Sequence, residues 1–185
     1  MPEFPEVNII ADTVRDKILG KKLIGILLHS GSRYCKNGLL NLLVEIEFTK
    51  PQKTEDNDYF YNLVGEVIDV FTYGKKIFIK IKNGDTQYYI TSFLSLHGTW
   101  RFDKDFDAKH TIIFKDDTSE FGLFYHDKRN WGIFSIVKDY KSILKDVGPD
   151  FFSEEGTLEY FKSVVKRPKL SEKDIGWFMM EQTKF

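Results

Sequence analysis

Residues 67–92 read VIDVFTYGKKIFIKIKNGDTQYYITS, which alternates short β-rich runs with turn residues. Its runs Val67–Phe71, Ile77–Ile81 and Gln87–Ser92 are rich in β-branched and aromatic residues, which favour strands. The turn residues Asn83-Gly84-Asp85 separate the last two. Short strands joined in this way predict an antiparallel sheet.

Similar runs extend this pattern on both sides of the segment. They are Leu23–Leu28, Leu42–Phe48, Gly98–Phe102, Thr111–Phe114, Gly122–Tyr125 and Gly132–Val137. Repeated short strands at this spacing predict an antiparallel β-sandwich or barrel. We therefore expect a mainly β fold with some α-helix.

Helical patterns flank the β region. Near the N-terminus, apolar residues recur at helical spacing up to Gly20, at Val7, Ile10, Ala11, Val14 and Ile18. After Lys138 the pattern becomes helical again, with Ser153 as a candidate N-cap for a helix through Val165 and Ser171 for a last helix. We expect a β-sandwich domain over residues 1–138, with the N-terminal helix packed on it, and a helical domain that begins in residues 139–185.

The composition limits the classes of function. A net charge of −1 argues against binding nucleic acid by bulk electrostatics, although lysines cluster locally. Cys35 is the only cysteine, so we expect no internal disulfide and no cysteine-based zinc site. We also expect no metal site within the chain and no cofactor. With no signal peptide pattern and no long apolar run, the sequence predicts a soluble, intracellular protein, expected to be monomeric.

The hexapeptide Pro2-Glu3-Phe4-Pro5-Glu6-Val7 has two interpretations. If Met1 is removed, Pro2 presents a secondary amine, which titrates near pH 8 and can attack an aldehyde-like carbon beside two carboxylates. Alternatively, proline and acidic residues are common at a helix N-terminus, where they would have a purely structural role.

Three further motifs contain candidate functional residues. Tyr73-Gly74-Lys75-Lys76 places two lysines on a turn, Leu94–Trp100 places Leu96 and His97 in a loop, and Tyr125–Gly132 mixes charges with an aromatic residue. Each motif alone is also compatible with an ordinary exposed turn or a core strand.

Taken in order, these motifs resemble the formamidopyrimidine-DNA glycosylase and endonuclease VIII family. That family begins Met-Pro-Glu-(Gly or Leu)-Pro-Glu-Val, has a lysine turn like residues 74–78 and a lesion-void loop like residues 96–100, and has an Asp-Pro-Arg-Arg-Phe-Gly segment like residues 127–132. Met180-Glu181-Gln182 is similar to the Leu-Asp-Gln that precedes its Gly-(Val or Ile)-Gly-Asn motif.

The resemblance implies base-excision repair of damaged double-stranded DNA with AP-lyase (β-elimination) activity. Pro2 would form a Schiff base with C1′ of the damaged nucleotide, and Glu3 would protonate the sugar ring oxygen. Glu6 would support the proline or position water, and Lys75 would contact a phosphate and assist elimination, with Lys76 as the alternative.

The resemblance also implies residues that fill the space left by the flipped nucleotide. Leu96 would be the apolar wedge, Arg129 would face the orphaned base and Trp131 would stack, with His97 beside the wedge. Trp131 and His97 favour the endonuclease VIII branch and oxidised pyrimidines. The family's phosphate-binding histidine has no match, since Ala108 stands in its place and His110 follows two residues later.

The family's Gly-(Val or Ile)-Gly-Asn turn, the rest of its helix-two-turn-helix domain and its zinc finger would all fall beyond residue 185. The sequence therefore leaves two functions open: a glycosylase with AP-lyase activity, or a catalytically weak module that binds lesions or DNA.

Overall fold

The computed structural model describes residues 4–36, 39–40, 43–45, 51–104, 107–144 and 157–166. Pro2 and Glu3 lie outside the described residues. In chain order the elements are α1 Phe4–Ile18, β1 Lys22–Leu28, β2 Cys35–Lys36, β3 Leu39–Leu40, β4 Leu43–Val44, β5 Gln52–Lys53, β6 Tyr59–Tyr61, β7 Gly65–Tyr73, β8 Lys76–Asn83, β9 Thr86–Phe93, β10 Thr99–Arg101, β11 Ala108–Lys115, β12 Glu120–His126, β13 Ile133–Val137, a 3-10 helix Tyr140–Ile143, and α2 Leu158–Val165.

The long strands form two half-sheets that join between β1 and β7. The order across the described strands is β10-β12-β11-β1-β7-β8-β9-β13-β4. At the junction, β1 pairs with β7 only through Lys22 and Leu23, and its remaining length pairs with β6. The sheet can therefore fold at this junction, with β10-β12-β11-β1 on one side and β7-β8-β9-β13-β4 on the other.

The two half-sheets face each other across an aromatic core. His110 of β11 stacks on Phe134 of β13 with ring centroids 4.6 Å apart. Trp100 of β10 donates its indole N–H to the Ser92 hydroxyl of β9 at 2.8 Å. Contacts between side chains of opposite half-sheets define a β-sandwich, so the predicted fold class is confirmed.

Helix α1 packs on this sandwich through the predicted apolar stripe. Its buried residues recur at helical spacing, and they are Val7, Ala11, Val14 and Ile18. The helix contacts β7 and β8 of one half-sheet and β10 of the other. It therefore covers apolar surface of both half-sheets.

Among the described residues, the structure differs from the predicted strands at β4 and at two unpredicted hairpins, of β2 with β3 and of β5 with β6. β4 runs parallel to β13 through Leu43 and Val44, whereas an antiparallel strand is expected over residues 42–48, of which residues 42 and 46–48 lie outside the described residues. The hairpin of β5 and β6 was not predicted, because its strands contain only two and three residues and lack a sustained alternating pattern.

The chain divides into two compact units, residues 1–139 and 140–185. In the second unit, the Thr157 hydroxyl accepts a hydrogen bond from the Tyr160 amide (3.1 Å) and so caps α2. The candidate cap Ser153 and the predicted last helix lie outside the described residues. Over the part that the structure describes, no helix is both long and apolar enough to cross a membrane.

Candidate active site

Helix α1 lies antiparallel to β7, which holds the first turn of the helix beside the end of that strand. After the helix, the Gly20 amide donates to the Val67 carbonyl (2.9 Å). Near its start, the Thr72 hydroxyl donates to the Asn8 side-chain oxygen. The two segments between these contacts have similar lengths. The mostly helical stretch from Asn8 to Gly20 rises about 18 Å, and the strand from Val67 to Thr72 rises about 17 Å.

Lys75 lies on the two-residue turn that joins β7 to β8. Tyr73 and Lys76 pair across the strands, and Gly74 has a φ of +56°, which glycine adopts without steric cost. Glycine in the first position suits a tight type II′ hairpin. Since Thr72 is bonded to α1, Lys75 lies at the same end of the sandwich as the first turn of the helix.

One row of paired residues brings two further loops to this end. Lys76 pairs with Phe93, and Phe93 pairs with Ile133. The loop of residues 94–98 leaves β9 directly after Phe93, and the loop of residues 127–132 enters β13 directly before Ile133. We call this end of the half-sheet the loop edge, because the lysine turn and both loops emerge from it.

The loop of residues 94–98 has a buried base and an exposed tip. Leu94 is buried, and the side chain of Leu96 is 39% exposed. Tyr125 donates its hydroxyl to the Leu94 carbonyl (3.2 Å). Burial and the nearby Asp127 carboxylate raise the pKa of Tyr125, so its phenol stays a hydrogen-bond donor. Gly98 is required here, because a Cβ would lie 1.9 Å from the Leu94 carbonyl oxygen.

Asp127 organises the second loop from the inside. It is only 1% exposed, and its carboxylate accepts from the amides of Arg129 (3.1 Å) and Gly132 (2.6 Å) and from the Ser95 hydroxyl (3.4 Å). The carboxylate therefore joins the two loops. Outside this turn, the Arg129 guanidinium lies 5.1 Å from the centroid of the Trp131 ring, which is 53% exposed.

An open cleft of about 550 Å³ separates the first turns of α1 from the loop of residues 94–98. Glu6, Ile9 and Ile10 line it from the helix, and residues 96–99 line the opposite wall. Its volume is in the range of ligand pockets. The cleft combines apolar walls with one carboxylate and the exposed imidazole of His97.

Several predicted site residues therefore meet at the loop edge. Glu6, Leu96 and His97 line the cleft, and Lys75 lies on the turn beside Thr72. Arg129 and Trp131 are on the adjacent loop. Pro2 and Glu3 lie outside the described residues, just before the first residue of α1.

Ala108 and His110 are unsuited to contact DNA phosphate. Ala108 is buried, and His110 is 1% exposed between the rings of Tyr125 and Phe134. Burial lowers the pKa of His110 to about 3, so the imidazole is neutral at physiological pH. Neither residue can therefore replace the family's phosphate-binding histidine, which has no match in the sequence.

Four residues that support the loop edge were not assigned a role from sequence. Tyr125, Asp127 and Asn130 belong to the motif of residues 125–132, but their contacts run inward or to distant segments. Arg33 lies about a hundred residues away in sequence. Its backbone amide donates a hydrogen bond to the side-chain oxygen of Asn130 (3.1 Å). The sequence carried no signal for these contacts beyond the position of three of the residues within the motif of residues 125–132.

The fold and the loop edge together define a class of protein. No family model matches the chain. A helix laid on an antiparallel β-sandwich is the architecture of the N-terminal domain of formamidopyrimidine-DNA glycosylases. The chain superimposes on the formamidopyrimidine-DNA glycosylase of Lactococcus lactis, solved non-covalently bound to DNA containing an AP site, with a TM-score of 0.65 at 19% identity, covering 99% of this chain and 62% of that one.

Sequence matches point to the same proteins. The chain is 25% identical to the formamidopyrimidine-DNA glycosylase of Mycoplasma genitalium, over 99% of this chain and 58% of the relative. It is 29% identical to that of Carboxydothermus hydrogenoformans, over 98% of this chain and 59% of the relative. The chain is therefore a homologue of the formamidopyrimidine-DNA glycosylases and spans about three fifths of their length. The preference for oxidised pyrimidines, based on Trp131 and His97, stays a prediction.

Proposed function

We propose that this chain acts on damaged double-stranded DNA as a base-excision glycosylase with AP-lyase activity, using the amine of Pro2 as nucleophile. The observation that supports the proposal best is the convergence at the loop edge. Segments that are far apart in sequence bring Glu6, Lys75, Leu96 and Arg129 to the end of the sandwich where α1 begins.

The reaction starts with the lone pair of the Pro2 nitrogen, which attacks C1′ of the damaged nucleotide. The bond from C1′ to the base breaks, and the base leaves with the electron pair and takes up a proton. Glu3 then protonates the ring oxygen as the C1′–O4′ bond opens, which leaves an iminium ion between the proline and the sugar.

The iminium ion is permanently charged, because a secondary amine leaves no proton on nitrogen. It acidifies the C2′ hydrogen, and loss of that proton to a base expels the 3′ phosphate with the C3′–O electron pair. Lys75 suits a role in this step, because an ammonium on a rigid two-residue turn can stabilise a phosphate. Water then hydrolyses the iminium and restores the amine.

The flipped nucleotide leaves a gap in the duplex that must be filled. Leu96, at the exposed tip of its loop, has the apolar side chain suited to enter the base stack. Trp131 offers an exposed aromatic face for stacking, and Arg129 offers hydrogen-bond donors to the unpaired base. Because Asp127 joins the two loops, these side chains are held as one unit.

Borohydride trapping on a duplex with an abasic site tests this function. We expect the native chain, shown by mass spectrometry to lack Met1, to form a covalent protein–DNA adduct. Pro2→Gly should lose most of the adduct, because the imine of a primary amine can lose its proton and its charge. The matched control is Pro5→Ala, which changes the other proline of the hexapeptide and should retain the adduct.

Binding of the abasic duplex without any adduct would contradict the enzymatic function and favour the alternative of a lesion-binding module. Equal adduct yields from the native chain and Pro2→Gly would show that an amine of the chain forms the adduct, but that the reaction does not need the secondary amine of Pro2.

A further inference from the structure

Asn130 connects the loop of residues 127–132 to a distant turn of the chain. Its side-chain amide donates to the Gly31 carbonyl (2.6 Å), and its side-chain oxygen accepts from the Arg33 amide (3.1 Å). Both functional groups of one side chain are therefore bonded to the backbone of the turn that follows β1. We call these two hydrogen bonds the Asn130 clamp.

The turn of residues 31–34 continues the contact past Asn130. Arg33 donates from its guanidinium to the Trp131 carbonyl (3.4 Å), and the Tyr34 hydroxyl donates to the Gly132 carbonyl (3.4 Å). The Phe134 amide in turn donates to that hydroxyl (2.6 Å). Residues 31–34 thus support the backbone on both sides of Trp131.

The clamp is not needed to close the loop itself. Asp127 already accepts from the amides of Arg129 and Gly132, and its carbonyl accepts from the Asn130 amide (3.0 Å). These short-range bonds form the turn from within. The side chain of Asn130 points the other way, so its bonds fix the orientation of the turn relative to residues 31–34.

The backbone of Asn130 is also unusual, with a φ of +57°. Asparagine tolerates this left-handed conformation better than most residues. The side chains of Arg129 and Trp131 on either side of it are exposed, with the guanidinium 5.1 Å from the ring centroid.

We propose that Asn130 is a positioning residue, which through its clamp on Gly31 and Arg33 fixes the orientation in which Arg129 and Trp131 meet DNA. This inference rests on the proposed function, because it assigns Arg129 and Trp131 to the DNA contact. Asn130 itself takes no part in the bond-breaking steps.

The test compares Asn130→Gly with Asn57→Gly. Glycine keeps the left-handed backbone and removes only the side chain. Asn57 is a matched control, because it is also an asparagine with a positive φ (+61°), and it lies on the exposed turn before β6. Labelling with 5-fluorotryptophan gives three ¹⁹F resonances, for Trp100, Trp131 and Trp177, and that of Trp131 is assigned with Trp131→Phe.

We expect Asn130→Gly to shift and narrow the Trp131 resonance in the DNA-free protein, and to weaken affinity for an abasic duplex about tenfold, as two modest hydrogen bonds would. The trapping rate constant at saturating DNA should stay unchanged. Asn57→Gly should leave all three measurements at native values, and the melting temperature of each variant reports any general loss of folding.

An unchanged Trp131 resonance and unchanged affinity in Asn130→Gly would overturn the inference. A lower trapping rate constant at saturation would also overturn it, since Asn130 would then affect the reaction itself. If the native chain binds the duplex but forms no adduct, the proposed lyase function fails, whereas the resonance and the affinity still decide the role of Asn130.

Discussion

His110, two residues after the position of the family's phosphate-binding histidine, lies in the core of the structure. Its ring is parallel to that of Tyr125 within 1°, with the centroids 5.0 Å apart, and stacks on Phe134 on its other side. Its Nδ1 lies 3.4 Å from the Ser32 hydroxyl, and its Nε2 is buried without a hydrogen-bond partner in the described structure. Such a site accepts a neutral imidazole and strongly disfavours an imidazolium ion.

The lowered pKa of His110 predicts a loss of stability in acid. The unfolded chain binds this proton near pH 6.5 and the folded chain only near pH 3, so the unfolded state binds more protons between these values. Stability from this group is present above pH 6.5 and falls with pH, by up to about 1.4 kcal/mol per pH unit.

His110→Phe should keep the stacking and remove the titration. We expect urea denaturation to show a smaller loss of unfolding free energy between pH 7 and pH 5 in this variant than in the native chain. Equal pH dependence in the two proteins would show that His110 titrates normally.

At the scale of elements, two hairpins of β8 offer a matched pair. Gly74-Lys75 joins β7 to β8, and Gly84-Asp85 joins β8 to β9. Both glycines have positive φ, +56° and +59°, and a Cβ at either position would meet no atom within 4 Å. Replacing either glycine therefore affects only the backbone conformation.

Gly74→Ala and Gly84→Ala should each lower the unfolding free energy by about 1 kcal/mol, the cost of a left-handed alanine. Only Gly74→Ala should also slow adduct formation in the borohydride assay, because it distorts the turn that carries Lys75. Equal adduct rates in the two variants would argue that the geometry of the Lys75 turn is unimportant for the reaction.

Sequence patterns predicted the long elements well and the supporting contacts poorly. The alternation in residues 67–92 gave β7, β8 and β9, and the helical stripe from Val7 to Ile18 gave the buried face of α1, because each pattern repeats over several residues. The run of residues 42–48 predicted a strand at β4, but its parallel pairing with β13 depends on the tertiary fold and could not be predicted.

The same distinction holds for the candidate site. Leu96, Lys75 and Trp131 could be proposed from sequence because they stand in ordered motifs, and their roles stay predictions. The Asn130 clamp could not be predicted, because it joins backbone groups of Gly31 and Arg33 to a side chain nearly a hundred residues away. A hydrogen bond to a backbone atom does not depend on the type of residue that supplies the atom, so the sequence gives no sign of it.

For the whole molecule, the net charge of −1 gives no general attraction for DNA. Under the proposed function, affinity for DNA would come from local cations such as those at the loop edge, and each phosphate contact would contribute to the salt dependence. Lys75 lies at this edge, whereas Lys82 lines a separate cleft near the opposite end of β8.

Lys75→Ala should therefore weaken binding to an abasic duplex and reduce the slope of log K against log salt by about one. Lys82→Ala removes the same charge and should leave the slope unchanged. Fluorescence anisotropy over a salt series measures both. Identical slopes in the two variants would mean that DNA approaches the sandwich from another side.

The row formed by Lys76, Phe93 and Ile133 also has a consequence for the evolution of such a protein. The residues of the row are fixed by strand pairing, while the two loops that leave it are held from behind by Asp127, the Asn130 clamp and the Tyr125 hydroxyl, and their tips are exposed. Selection can replace the tips of these loops, and with them the chemistry offered to a lesion, without altering the inward-facing residues that stabilise the sandwich.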